Sequence, residues 1–494
     1  MATAIGPDII TDGLVLAVDA GSKNSFGNFE DPVEVLIVAG GGAGGVGSNG
    51  GGGGGAGGVI HIPSQALVYT TSYTVTVGGG GSGSVGRGSG ANGSNSVFGS
   101  STAVGGGRGG GHPNNGGSTA PNTGGSGGGA AYSTQGVAGT SGQGNSGGSG
   151  AVYLNLPVSK DSGGGGGGAG GVGANGQGSS GGGGAGGVGA LYDISGTPTY
   201  YAGGGAGATN DMNTRAIGGL GGGGEGGTPA TKNGDNGATN SGSGGGGGNG
   251  GGGNSGSGGS GVVIIRYKGA VKATGGTITS VGGYTIHTFT SSGSFANANT
   301  CYSLVSSNTG TLTNGVGFNS DNGGAFVLDG SNDYIAFNSN ITLPTGNLTS
   351  TTWVKLDAYV SQNSTIGFSP DSGTSGFRIY AISTSSLGVW TRYATGGGVT
   401  AISTNNGLAL NEWIQLTFVL SGSNGKFYKN GVEILSGTFS QPPATINNAQ
   451  VSISRYSGGG YHIDGKTANA YLYNRELSAT EVLQNYNAQK SRFI

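Results

Sequence analysis

The chain has 494 residues, of which 124 are glycine; its formal net charge is −2, and only 8% of its residues are charged. This length suits two or three domains, and the lack of a basic stripe argues against nucleic-acid binding. No run of about 18 apolar residues predicts a membrane span, and no secretory signal is evident, so we expect folding in a cytoplasm. The single cysteine, Cys301, excludes an internal disulfide and is expected to be a small buried residue.

Glycine is concentrated in one tract. Of the 124 glycines, 91 lie between residues 40 and 261, where only ten Asp, Glu, Lys or Arg residues occur. Two apolar runs precede the tract, at 13–18 and 33–39, and each predicts a short buried strand. The sharp changes in composition at both ends of the tract predict that domain boundaries lie nearby.

The tract itself is not uniform. The hexamer GGAGGV occurs four times at irregular spacing, which excludes a solenoid of fixed period. Its copies lie at 41–46, 54–59, 167–172 and 183–188. Short β-type segments interrupt the glycine runs, at 59–62, 73–77, 151–156, 199–202 and 261–267.

Three kinds of structure are considered for this glycine-rich tract. Runs of five or six glycines and only 12 prolines in the chain exclude a collagen helix. A flexible linker is possible, but a linker does not need repeated strands and tyrosines. We therefore expect extended glycine strands of the polyproline II type, packed side by side with their amides and carbonyls paired between neighbours.

The remainder of the chain predicts an all-β domain. A hairpin is expected at 275–290, with Gly282-Gly283 in its turn. From residue 299 onward short alternating strands recur, and Asn430-Gly431 is a strong hairpin signal. Predicted strands lie at 324–328, 334–337, 351–356, 377–382, 386–390, 413–420, 425–429, 451–453 and 468–473.

One helix is predicted close to residue 480. Ser478 and Glu481 have the spacing of a capping box, in which each satisfies the other's backbone amide. Val482, Leu483 and Tyr486 follow, and we expect them to bury one face of the helix.

Several segments resemble the laminin-G/pentraxin-like concanavalin A domain. They are 311–337, the strand from Trp413 with the hairpin at 427–431, and 463–486. The ending YNRELS is similar to that of phage structural proteins. Residues 12–20 resemble the first strand of the same domain. The resemblance implies a concanavalin A-like β-sandwich, or jelly roll, formed by residues 1–32 and 299–494.

The inserted residues, 33–298, resemble the glycine-rich domain of phage tail-fibre and adhesin-like proteins. The segments that carry this resemblance are VEVLIVAGGG, YTVTVGGGG, GSNSVFGS, YYAGGG and GSGVVIIRY. The segment YTIHTFTSSGSF follows them, at 284–295, whereas in the family it usually precedes VEVLIVAGGG. This order implies a circular permutation and leaves the strand order inside the domain open.

Patterns typical of catalysis have simpler explanations here. Gly460–Thr467 matches the phosphate-binding loop G-x4-G-K-[ST], but the residues after it predict a strand where that loop needs a helix. Gly81–Gly86 and Gly124–Gly128 match a dinucleotide and a nucleophile-elbow pattern, as chance predicts at this glycine density. We therefore expect no catalytic and no cofactor-binding residues.

Metal sites are not predicted either. The four histidines are scattered without metal-ligand spacing: His61, His112, His287 and His462. Asp321, Asp329 and Asp333 could place oxygens near a calcium ion, as in some laminin-G-like domains. They lack a loop closed by glutamate, so turn capping is their favoured role.

A glycan site would combine aromatic faces with polar groups. Trp390, Arg392 and Tyr393 meet this description and are the candidate contacts; packing between strands is the alternative. A glycan-cleaving enzyme would need paired carboxylates, and no dense cluster of Glu and Asp on one strand is present.

The function predicted from these features and resemblances is a non-enzymatic surface protein of a bacteriophage particle. We expect a tail-fibre or adhesin type that binds a host surface glycan or protein. The alternatives are a capsid decoration or head-fibre protein with a structural role, and a glycan-cleaving enzyme. Expected partners are other virion proteins and further copies of the chain, with a trimer suggested by analogy with fibres. No nucleic acid, membrane insertion or cofactor is expected, calcium excepted.

Overall fold

The computed structural model divides the chain into two compact units. Met1–Asn28 and Asn297–Ile494 form one, here called the sandwich unit; Phe29–Ala296 form the other, the glycine-rich unit. The predicted boundaries, after residues 32 and 298, lie close to these. The structure describes residues 8–22, 32–48, 50–67, 72–111, 119–132, 134–155, 158–178, 182–209, 213–250, 252–269, 271–297, 300–344, 346–359, 364–371, 376–383, 386–392, 399–404, 408–439, 445–455 and 460–494.

The first sheet of the sandwich unit has eight antiparallel strands. In spatial order seven of them are Gly317–Asn319, Ala325–Asp329, Asp464–Tyr473, Asn347–Ala358, Ile414–Ser421, Asn424–Lys429 and Val432–Thr438. The eighth, Leu14–Asp19, pairs with Asp464–Tyr473, so that Asp19 lies opposite Asn469. The segments before and after the glycine-rich unit therefore complete one sheet.

The second sheet has nine strands and packs face to face with the first. Eight of them are, in spatial order, Thr300–Tyr302, Thr309–Thr313, Tyr334–Leu343, Ile446–Ile453, Phe368–Asp371, Gly376–Ser383, Ser386–Arg392 and Val399–Thr404. The ninth, Ser364–Ile366, pairs with Gly376–Ser383. Buried aromatic side chains join the two sheets, as in the 6.2 Å separation between the rings of Phe377 and Phe418. Apolar burial between two such inner faces is the main stabilising term of a sandwich.

The helix Ala479–Gln489 packs on the opposite face of the first sheet, and a short 3-10 turn, Lys490–Arg492, follows it. The Trp353 ring of the central strand stacks on Phe493 at 4.3 Å and on Tyr486 at 5.8 Å. The predicted capping box is present: the Ser478 amide donates to Glu481, and the Glu481 amide donates to the Ser478 hydroxyl. The first sheet is thus covered on both faces.

The predicted burial of the helix is right for Val482 and wrong for Leu483. Val482 is buried, whereas 44% of Leu483 is exposed. A polar residue, Asn485, is buried on the packed face instead. Its side chain accepts from the Ile10 amide at 2.8 Å and donates to the Tyr473 hydroxyl at 3.1 Å. These bonds replace the water that the amide group loses, so that a polar residue can be buried here.

The glycine-rich unit has a conventional β part. One five-stranded sheet has the order Thr277–Val281, Tyr284–Phe289, Val262–Lys268, Val33–Val38, Val59–Gln65. Another has the order Ala273–Thr274, Gly293–Asn297, Tyr73–Thr76, Ser96–Phe98, Ser101–Ala103. There are three smaller sheets among the described residues. One has three strands, Gly248–Asn249, Gly45–Gly47 and Gly88–Ser89. The other two have two strands each: Val158–Ser162 with Ala151–Asn155, and Ala190–Tyr192 with Thr199–Tyr201. The two larger sheets share a core of apolar side chains that includes Val35, Val75 and Phe295.

The glycine runs form a lateral hydrogen-bonded array. Along 40–45 the amides donate in turn to three different neighbouring segments, and the order repeats every three residues. The donor–acceptor pairs are Gly40–Ser94, Gly41–Gly259, Gly42–Gly55, Ala43–Ala91, Gly44–Gly256 and Gly45–Gly52. A three-residue repeat is the period of the polyproline II helix, which makes no hydrogen bonds within itself. Because neighbours satisfy its amides and carbonyls, such a strand can be fully buried.

Close approach of the strands requires glycine. A Cβ placed on Gly42 would lie 2.2 Å from the carbonyl oxygen of Gly107, and one on Gly45 would lie 2.1 Å from that of Gly110. The predicted all-β class with polyglycine-type strands is confirmed. In the part of the chain that the structure describes, no helix has the length and apolar character needed to cross a membrane.

Candidate functional site

The outer face of the nine-stranded sheet carries arginine and tyrosine side chains. Along Gly376–Ser383, Phe377 and Ile379 lie in the core, and Arg378 and Tyr380 alternate with them and so face the other way, where they are 7% and 8% exposed. The Arg378 guanidinium lies 5.8 Å from the Tyr380 ring and 4.1 Å from the Tyr461 ring. Burial raises the pKa of Tyr380, and the nearby charge of Arg378 opposes this effect.

The backbone of Tyr461 is held in an unusual conformation. Its φ of 66° is in the left-handed region, which costs a residue with a side chain about 1–2 kcal/mol. Two residues later, the Ile463 amide donates to the Ser454 hydroxyl at 2.9 Å. The strain is retained in a conformation that stacks the Tyr461 ring on Arg378, which is typical of a functional constraint.

A second arginine–tyrosine pair borders a cavity on the same sheet. The Arg455 guanidinium lies 4.3 Å from the Tyr334 ring, and the Arg455 carbonyl accepts from the Ser452 hydroxyl at 2.7 Å. The cavity has a volume of about 330 Å³ and is lined by Thr311, Tyr334, Ala336, Phe337, Gln450, Val451, Ser452 and Arg455. This lining combines aromatic surface with hydroxyl, amide and guanidinium groups and contains no carboxylate among the described residues.

His462 connects the two pairs. Its Nδ1 lies 3.0 Å from the Asp333 carbonyl, which can only accept, so Nδ1 carries the proton. Its ring lies 6.2 Å from that of Tyr334, and Tyr461 precedes it in the chain. Arg378, Tyr461, His462, Tyr334 and Arg455 are here called the arginine–tyrosine row; its two pairs are linked through the chain neighbours Tyr461 and His462.

Two of the predicted glycan contacts, Trp390 and Arg392, lie on the neighbouring strand of this sheet, Ser386–Arg392. Trp390 is the register partner of Arg378, and Arg392 is that of Gly376. The structure describes the backbone but not the side chains at 390 and 392, and Tyr393 lies outside the described residues. The sequence thus predicted a site on this sheet, but it did not predict the arginine–tyrosine row. Gly460 before Tyr461 is a residue type that favours a turn, but nothing in the sequence indicates the contact between Tyr461 and Arg378.

Two of the three carboxylates considered for calcium, those of Asp329 and Asp333, cap a turn. The Asp329 carboxylate accepts from the amides of Ser331 and Asn332, and the Ser331 bond holds the pKa of Asp329 below its usual value. Asp333 accepts from the Asp329 amide, and burial raises its pKa. Asp321 accepts from the amide group of the Asn319 side chain. No group of three or more His, Cys, Asp or Glu able to hold a metal ion occurs within the described ranges.

The other predicted motifs have structural roles where the structure describes them. Strand Asp464–Tyr473 begins inside the 460–467 pattern, so the helix that a phosphate-binding loop requires is missing. His287 is buried in the glycine-rich unit, where Nδ1 contacts the Gly275 carbonyl and Nε2 contacts the Tyr267 hydroxyl; burial lowers its pKa. His61 pairs with Glu34 at 2.9 Å, and His112 lies outside the described residues.

Comparisons with known sequences identify both parts of the chain. Residues 25–268 match the model of the glycine-rich domain family. Residues 329–483 match that of the concanavalin A-like lectin/glucanases superfamily. No curated protein matches the chain.

Solved structures with detectable similarity have low sequence identity. Domain 4 of AbnA, a GH43 extracellular arabinanase from Geobacillus stearothermophilus in complex with arabinotriose, is 18% identical with a TM-score of 0.30, over 36% of this chain and 87% of that domain. The botulinum neurotoxin serotype G binding domain is 19% identical with a TM-score of 0.33, over 39% of this chain and 49% of that one. The botulinum neurotoxin serotype D ligand binding domain in complex with N-acetylneuraminic acid is 16% identical with a TM-score of 0.33, over 39% of this chain and 49% of that one. This chain spans about half the length of these neurotoxin domains.

The chain therefore combines a glycine-rich domain with a domain of the concanavalin A-like lectin/glucanases superfamily.

Proposed function

We propose that this chain is a non-enzymatic surface protein of a phage particle, of tail-fibre or adhesin type, and that it binds a host surface glycan through its sandwich unit. The observation that carries the proposal is the arginine–tyrosine row beside the cavity of about 330 Å³. The assignment to a phage particle is supported by the resemblance of both parts of the sequence to phage proteins.

The row has the chemistry that sugar binding needs. A pyranose ring presents apolar C–H faces that pack on aromatic rings, and hydroxyl groups that need hydrogen-bond partners at fixed positions. Tyr334 and Tyr461 would supply the rings, and Arg455 would supply planar donors. Arg378, which is 7% exposed, packs on the Tyr461 ring. Gln450 and Ser452 add an amide and a hydroxyl group inside the cavity. Because guanidinium groups donate but do not accept, an acidic sugar would be a favoured ligand of this row.

The proposal does not include catalysis. Glycoside cleavage by the usual route needs two carboxyl groups about 5–10 Å apart on either side of the bond. The described residues that line the cavity carry none. Asp329 and Asp333, which precede Tyr334 closely in the sequence, accept hydrogen bonds from the backbone amides of their own turn. Asp464, two residues after His462, is the first residue of the strand Asp464–Tyr473.

The test is binding of the purified full chain to a printed array of bacterial lipopolysaccharide and capsular oligosaccharides. We compare the wild type with Arg455→Gln and Tyr461→Asn. Asparagine tolerates the left-handed backbone at 461, so this change removes the ring without adding strain. Lys490→Gln is the matched control, since it removes a cation 5.6 Å from the Tyr486 ring at the far end of the helix on the other sheet.

We expect the wild type and Lys490→Gln to retain the same glycans, and the other two variants to bind them at least tenfold more weakly. Retention of no glycan by the wild type, or equal retention by all four proteins, would overturn the proposed site. Immunogold labelling of intact particles with an antibody against 299–494 tests the location. Label at fibre tips supports an adhesin, and label spread over the capsid contradicts it.

A further inference from the structure

The four copies of the hexamer GGAGGV differ in the exposure of their last residue, a valine. In the GGAGGV copies at 41–46 and 54–59 the closing valines, Val46 and Val59, are 0% and 6% exposed. In the copies at 167–172 and 183–188 the same position is exposed, by 66% at Val172 and 37% at Val188. A valine inside the glycine array is explained by packing, whereas a valine directed into water is not.

The exposed copies lie on adjacent strands of the array. The Gly170 amide donates to the Val188 carbonyl at 2.9 Å, which places the 170–174 segment beside 183–191. On the other side, the amides of Gly186 and Gly189 donate to the carbonyls of Ile217 and Leu220 at 3.0 and 2.8 Å. Three consecutive strands of the glycine-rich unit therefore form one lateral surface.

Apolar side chains project from this surface at the three-residue period of the strands. Ala185, Val188 and Leu191 are exposed along the middle strand, and Ile217 and Leu220 along its neighbour. The exposed fractions are 51% for Leu191, 69% for Ile217 and 61% for Leu220. Together with Val172 and with Tyr200, the register partner of Leu191, they form what we call the lateral apolar patch.

The patch is large and uncharged. Its side chains present on the order of 500 Å² of apolar surface, at the upper end of what a monomer exposes in one place. No Asp, Glu, Lys or Arg occurs in 167–176, 183–191 or 217–224. Two copies that joined through it would remove about 1,000 Å² from water, which is the lower limit for a specific interface.

We propose that the lateral apolar patch is a self-association surface, and that its occupant is the same patch of a second copy of this chain. Neutrality identifies the partner, because a surface without charge gives a charged partner no counter-ion and would leave that charge buried. Two copies of one apolar surface can pack against each other about a two-fold axis. This inference concerns the glycine-rich unit and does not depend on glycan binding by the sandwich unit.

The patch can be changed without loss of the fold. Its outward side chains contribute little to the core, and the amides and carbonyls of these strands hold the array together. A double variant, Ile217→Ser with Leu220→Ser, therefore keeps every backbone hydrogen bond. Val85→Ser is the matched control, because Val85 is 90% exposed in the same unit and lies outside the patch.

The experiment is sedimentation velocity of the full chain over a wide concentration range, with thermal unfolding as a check of the fold. We expect the wild type and Val85→Ser to associate reversibly, and the double variant to associate at least tenfold more weakly with an unchanged unfolding transition. A wild type that stays monomeric at every concentration overturns the proposal. So does unchanged association of the double variant, or a monomer that binds phosphatidylcholine–phosphatidylglycerol vesicles through the patch.

Discussion

The close packing of the glycine array predicts that two glycine-to-alanine substitutions, each of which adds one methyl group, differ strongly in their effect on stability. At Gly53 an added Cβ would lie 2.1 Å from the carbonyl oxygen of Gly205. At Gly79, in the same unit, an added Cβ would meet no heavy atom within 4 Å. Gly53→Ala and Gly79→Ala are therefore the same chemical change in a closed and in an open position.

The cost at Gly53 follows from the contacts that must open. Non-bonded carbon and oxygen atoms need about 3.2 Å or more, so the strands must separate by about 1 Å. The bonds at risk are those from Gly53 to Gly164, from Gly129 to Gly53 and from Gly205 to Gly54. Loss of two or three such bonds, at about 1 kcal/mol each, adds to an overpacking cost of about 1–3 kcal/mol. We expect Gly53→Ala to destabilise the unit by about 3–6 kcal/mol.

Hydrogen exchange measured by mass spectrometry on peptides from 50–58 and 203–208 reports this change, together with the thermal unfolding midpoint. Gly79→Ala should leave both unchanged or raise the midpoint slightly, because alanine restricts the unfolded chain. The interpretation of the tract as a close-packed array is refuted if the two variants exchange and unfold alike.

Two further predictions concern the sandwich unit. Hydrogen bonds from Arg475, with those from Ser478, lower the pKa of Glu481 to about 2 from an ordinary 4.5. Since the pKa is lower in the folded state, this carboxylate stabilises the fold fully above about pH 4.5 and loses its effect as the pH falls towards 2. Glu481→Gln should lower the free energy of unfolding by about 1–2 kcal/mol at pH 7 and make it depend less on pH between 4.5 and 2. Urea unfolding at several pH values measures this, and an equal pH dependence of stability in both proteins would contradict the prediction. Cys301 is fully buried and burial raises its pKa, so its thiol should react with dithionitrobenzoate only after denaturation; rapid labelling of the native protein would contradict this.

The sequence predicted the elements that are determined by residues close together in the chain. The capping box at Ser478 and Glu481 was readable because both halves lie within one turn. The short strands Thr300–Tyr302, Phe368–Asp371 and Val399–Thr404 were missed, because a few residues cannot display a clear alternation. Leu483 was assigned to the buried face because apolar spacing was the only guide. The buried Asn485 depends on Ile10, which is distant in sequence.

The candidate site depends on contacts of the same long-range kind. Arg378 and Tyr461 are brought together by the pairing of the strands and by the left-handed turn after Gly460. A single arginine in a strand pattern gives no sign that a ring will cover it. Trp390 was selected for its residue type, and the strand register places it opposite Arg378.

The strand Leu14–Asp19 has a consequence for the order of events during synthesis. Its partner, Asp464–Tyr473, leaves the ribosome only after the whole glycine-rich unit has been made. Closing so long an unstructured loop would carry a large entropic cost, which falls if the intervening segment is already compact. The glycine-rich unit should therefore fold first, and the first strand should wait unpaired until the sandwich closes over it.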